Sequence, residues 1–187
     1  MRNHLSSDDY LNEFEQRLQQ NLLRQLHARG VMGTQLLGSD DLDDKFETYL
    51  QEYLADALPQ IVDYPMVSIA WATYIGLGLA YLWDTDFERF AETEYRMLYG
   101  TRGFDDMDEH ILYDVMGNQP EDVKGLVQLI QSISQSCLSA IKAEQIEPQS
   151  SMAFHVYVRT VVVAFRIGAA LQLYAMGYKY EKLEADN

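Results

Sequence analysis

Residues 66–83 read MVSIAWATYIGLGLAYLW, eighteen positions without a charged side chain. A helix that is apolar all round belongs either to the centre of a globule or to a membrane. The run reaches the lower length for a membrane span, about 17 residues. Ser68, Thr73, Tyr74 and two glycines interrupt it, however, and acidic Asp63 and Asp84 flank it on both sides. No excess of lysine or arginine marks one flank as cytoplasmic. The stretch therefore reads as a buried core helix, and a buried helix needs others to cover it.

Working outward, the covering helices are legible. Upstream, Leu42, Phe46, Tyr49, Leu50, Tyr53, Leu54 and Ala57 recur at helical spacing from about Asp40, and Pro59 ends the run. Before that, Leu11, Phe14, Leu18, Leu22 and Leu26 form one stripe behind an N-cap at Ser6 or Ser7. Gly30 stops this helix, and residues 31–39 (VMGTQLLGS) read as a glycine-containing linker. Residues 1–39 are thus a long helix plus linker, placed at the periphery.

Downstream, a fourth helix is predicted from about Asp86 to Tyr99 and a fifth over Asp105–Met116. A sixth is expected from Pro120 to about Gln145, and a last from about Ser150 to Tyr180. Alternating runs bounded by turn pairs are missing, so strands are not expected. The prediction is an all-α, single-domain bundle of about seven helices. Its central, charge-poor segments are 66–83, 125–141 and 160–178, the last holding only Arg166. Ala72, Gly76 and Ala80 share one face, and Ala164 and Gly168 do the same on the last helix; such faces let backbones approach closely.

The chain has 187 residues, 48% of them hydrophobic, which suffices for one ordinary core. Its formal charge is −15, and residues 40–122 hold twenty of the 29 acidic groups against four basic ones. Phosphate backbones and anionic lipid repel such a surface, so neither a nucleic acid nor a membrane is an expected partner. A start without a basic, then apolar, segment carries no secretory signal, and a single cysteine, Cys137, suits a reducing compartment. A cytoplasmic protein is expected.

Four groups of residues carry the chemical possibilities. His155, Arg159 and Arg166 are spaced four and seven apart, which at about 100° per residue gathers them within an arc of about 40°. Guanidiniums on an apolar helix need anionic partners. These are expected among the carboxylates of the acidic middle segment, or else from an anionic ligand clamped by the two arginines with His155 as donor. Trp71 and Tyr74, with Tyr81 and Trp83, could wall a cavity for a flat molecule. Asp106, His110 and Asp114, at i, i+4 and i+8, are a weak candidate for half a metal site. The Glu-x-x-His pairs of di-iron bundles and other metal spacings are absent. No cofactor is expected.

Finally, the sixth helix sets Gln128, Ser132, Gln135, Ser136 and Ser139 on an uncharged hydroxyl-and-amide face. Depletion of charge is a mark of subunit interfaces. The leading expectation is therefore a helical module for oligomerisation or protein interaction without catalysis, most simply a homodimer. The alternative is a bundle that binds a small anionic or aromatic ligand beside the last helix.

Overall fold

A computed structural model describes residues 6–180. It is 75% helical, with seven α-helices and no strands among the described residues. These are α1 (Ser7–Ala28), α2 (Asp40–Ala57), α3 (Pro65–Thr85), α4 (Phe87–Glu92), α5 (Met107–Glu109), α6 (Lys124–Ala143) and α7 (Ser151–Ala175). The all-α bundle is as predicted.

The two most apolar helices, α3 and α7, form its centre. Thirteen residues of each are buried. They run parallel: a Cβ on Gly76 would meet the Phe165 carbonyl, while further along Trp83 packs against Tyr178 at 5.9 Å. Their approach is closest at the small residues. A Cβ on Gly168 would lie 2.0 Å from the Thr73 carbonyl oxygen, and one on Gly76 would lie 2.2 Å from that of Phe165. Both helices are long and apolar enough to cross a membrane, yet 72% of each such window is buried inside the fold.

The remaining helices clothe this pair. The five-residue stripe of α1 is buried in the common core, so the N-terminal helix is an integral element. It is held by a capping box in which Ser6 and Asp9 exchange bonds. α2 runs antiparallel to α3, from Asp41, which accepts a bond from Trp83 Nε1, to Tyr53, whose hydroxyl donates to the Ser68 carbonyl. Phe46 of α2 stacks on Phe165 of α7 with ring centroids 4.0 Å apart. α6 descends along α1: Glu144 meets Tyr10 and Arg17, Ser136 meets Gln25, and Ser132 meets Arg29.

Four boundaries differ from the sequence reading. The fourth helix stops at Glu92 rather than continuing to Tyr99. Thr93 turns extended (ψ 121°), and the buried Tyr49 hydroxyl donates to its carbonyl at 2.5 Å. A 3₁₀ turn, Tyr95–Leu98, replaces the rest of that helix. The expected fifth helix is split into a 3₁₀ turn (Phe104–Asp106), the short α5 and a π-helical segment (His110–Val115), which packs Ile111 against Gly78. Pro120 opens no helix: the Asp122 N–H donates to the Gln119 carbonyl, so the proline occupies the second position of a turn, the other place its fixed φ favours. Lastly, α7 ends at Ala175, because Gly177 adopts φ +95° and the Tyr178 N–H caps the Leu173 carbonyl.

Candidate functional site

The arginines of α7 meet one carboxylate from the same chain. Arg159 Nη1 lies 2.5 Å from Glu15 Oε2, and Arg166 Nη1 lies 2.6 Å from Glu15 Oε1. Arg166 Nε reaches Asp43 Oδ1 at 3.4 Å. The Glu15 side chain is 15% exposed and the guanidinium side chains 35% and 32%, so the cluster is half-sheltered. Asp43 belongs to the acidic middle segment, as expected; Glu15 does not. A signal for it exists nonetheless. At about 100° per residue Glu15 falls inside the buried stripe, between Leu22 and Leu26, where a carboxylate must find cations.

His155 does not join this cluster. It is exposed, its ring rests 5.6 Å from that of Phe154, and it makes no hydrogen bond among the described residues. A cleft of about 320 Å³ beside Arg166 also presents Asp40 and Asp43, so an entering anion would face carboxylates.

Trp71 and Tyr74 are packing residues. Trp71 Nε1 donates to the Phe104 carbonyl at 2.5 Å, and its indole meets Tyr74 edge-on at 5.7 Å. Tyr74 is buried, and neither ring lines any of the principal clefts. Burial together with the nearby Asp108 carboxylate holds the Tyr74 phenol protonated far above its ordinary range.

Asp106, His110 and Asp114 do not converge. Their i, i+4, i+8 alignment presumed one α-helix, but Asp106 lies in a 3₁₀ turn and His110 and Asp114 in the π segment. Asp106 turns into the Gly100–Gly103 loop, accepting from Thr101 Oγ1, the Arg102 backbone N–H and Arg102 Nε. The Arg102 guanidinium holds its carboxyl below the usual range. His110 places Nδ1 2.8 Å from Asp114 Oδ2 and Nε2 3.1 Å from the Met97 carbonyl, fastening the π segment to the preceding 3₁₀ turn. No group of three or more metal-ligating side chains assembles among the described residues.

The uncharged face of α6 is divided. Ser132 and Ser136 turn toward α1, accepting from Arg29 Nη2 at 3.0 Å and donating to Gln25 Oε1 at 3.1 Å respectively. Gln128, Gln135 and Ser139 remain exposed, together with Gln131. Ser139 donates to the Gln135 carbonyl of its own helix.

Two features escaped the sequence reading. Asp56 accepts from both Tyr95, at 2.8 Å, and Tyr99, tying the 3₁₀ turn to α2. Burial and then this carboxylate push the Tyr99 phenol up to about 12. A cleft of about 630 Å³ lies between the 31–39 linker and the end of α7 and is lined by Gly33, Thr34, Gln35, Tyr174, Tyr178 and Lys179, among others. Nothing in a linear pattern pairs a glycine linker with a chain segment about 140 residues away.

The fold and these sites define an acidic all-α bundle. Comparison with family models, curated proteins and solved structures gave no match.

Proposed function

We propose that the chain is a non-catalytic helical module of the cytoplasm that pairs with a second copy of itself through the exposed face of α6. The observation that carries this reading is the row Gln128, Gln131, Gln135 and Ser139, solvent-exposed on one helix and uncharged, in a chain of net charge −15. Two such chains repel wherever their carboxylates meet, and this row is where they can approach without doing so. Side-chain amides offer donors and acceptors alike, so an antiparallel pair of identical helices can satisfy itself across a two-fold axis. A helix of this length presents a strip about 30 Å long. Ser132 and Ser136, bonded to α1, border the row on one side.

Native mass spectrometry and sedimentation velocity test the reading. The wild type is expected to be dimeric at about 50 μM, corresponding to a Kd in the low micromolar range or below. Gln131→Glu with Gln135→Glu places like charges on both sides of the axis and is expected to give monomers of unchanged helicity. A wild type that stays monomeric at that concentration would overturn the proposal.

A further inference from the structure

The cleft between the 31–39 linker and the end of α7 carries a cation in its described lining. Lys179 supplies this ammonium group, and the Asp84 carboxylate next to Tyr178 is engaged by that tyrosine's hydroxyl. The walls are aromatic. Tyr174 presents a ring edge 3.9 Å from where a Cβ on Gly33 would stand, ordinary van der Waals distance, so the linker packs beside the ring. Tyr178 is fixed on two sides, its hydroxyl donating to Asp84 and its ring resting against Trp83. The left-handed turn at Gly177 brings Tyr178 and Lys179 back across the end of α7. Thr34 and Gln35 add polar groups from the linker side. At about 630 Å³ the cleft has the volume of small-ligand sites, which range over about 300–1,000 Å³.

We propose that this cleft binds a planar aromatic carboxylate, its ring between Tyr174 and Tyr178 and its acid group paired with Lys179. Offset or edge-on stacking against tyrosine suits a flat ring, and an ammonium group selects the acid over its neutral analogue. The site is separate from the α6 face and stands whether or not the chain dimerises.

Titration of the full chain with 2-naphthoate and with neutral 2-naphthalenemethanol, by calorimetry and by ¹⁵N-detected indole N–H resonances, tests this. Saturable binding of 2-naphthoate at one site is expected, with the Trp83 resonance shifting and that of Trp71 unmoved. Lys179→Met should weaken the acid about tenfold and leave the alcohol unchanged, as expected for one lost charge-assisted bond. Thr34→Trp, on the exposed linker, should fill the cleft and abolish both, with helicity by circular dichroism confirming that the variant folds. Absence of saturable binding by the folded wild type at about 5 mM probe, a concentration that detects even millimolar affinity, would overturn the proposal. So would binding that survives Thr34→Trp, and an equal effect of Lys179→Met on both probes would overturn the carboxylate assignment.

Discussion

Gly168 of α7 touches the backbone of Thr73 of α3: a Cβ at Gly168 would stand 2.0 Å from the Thr73 carbonyl oxygen and 2.8 Å from its carbonyl carbon. Both obstacles are main-chain atoms, so no rotamer change relieves the clash and the helices must separate. Gly168→Ala is therefore expected to destabilise the fold by about 3 kcal/mol, the upper part of the overpacking range. Gly125→Ala is the control. It lies in α6 with nothing within 4 Å of the added methyl, and should stabilise by about 0.5–1 kcal/mol through helix propensity alone. Urea denaturation followed by circular dichroism measures both.

The small-residue faces that permit this contact were legible in the sequence, because they follow from composition along a helix; which helix each would meet was not. A charge-free run must be central, and a stripe of small residues on it must face another helix. Breaks imposed by a tertiary partner were not legible. Thr93 leaves the helical path where Tyr49, 44 residues away, binds its carbonyl. The π segment at His110–Val115 faces the gap that Gly78 leaves, and neither sequence announces the other. The arginine arc was read correctly as needing carboxylates, yet their source was sought where acidic residues are dense. Periodicity was the better guide, since Glu15 stands in an apolar stripe and a lone charge there implies a partner. The cleft had no linear signal at all, because it is made by an irregular linker and a chain reversal.

Glu15 is predicted to hold α7 against α1. Removing it leaves Arg166 with only the 3.4 Å contact to Asp43, and Arg159 with no carboxylate among the described residues. Both arginines are about one-third exposed, so solvent screens part of the loss. Glu15→Gln should cost about 1–3 kcal/mol, below the 3–5 kcal/mol of a fully buried broken pair. The double variant with Arg166→Leu should lose less than the sum of the two single variants. Additive losses in that double-mutant cycle would show that the pair is not coupled.

Two neighbouring aspartates should act in opposite senses on stability as pH changes. Asp106 has its carboxyl lowered, first by the hydrogen bond from Arg102. It therefore contributes stability at neutral pH that is lost as pH falls through its folded value. Asp108 has its carboxyl raised, chiefly by burial. Its protonated form is favoured in the fold, so its contribution is full in acid and disappears as pH rises through its folded value. Asp106→Asn should lower neutral-pH stability and flatten the acid limb of a stability–pH curve. Asp108→Asn should raise stability near pH 7 and converge with the wild type in acid. Thermal melts across pH 3–8 would record the two signs, and a shared sign would contradict the assignment.

Cys137 offers a probe of how α6 opens. The thiol is fully buried, and burial pushes it up to about 12, so the nucleophilic thiolate is scarce as well as inaccessible at pH 8. Reaction with a thiol-specific disulfide reagent must then wait for an opening of the chain. α6 is held to α1 by exposed or half-exposed polar bonds, Arg29 to Ser132 and Gln25 to Ser136, whereas α3 and α7 interlock at their glycines. Opening of α6 alone is accordingly expected to precede global unfolding, with labelling that depends only weakly on urea at low concentrations. Ser136→Ala should accelerate it several-fold, in keeping with the loss of about 1 kcal/mol from one hydrogen bond. If labelling instead tracks global unfolding across all urea concentrations, α6 and the α3–α7 pair form a single cooperative unit.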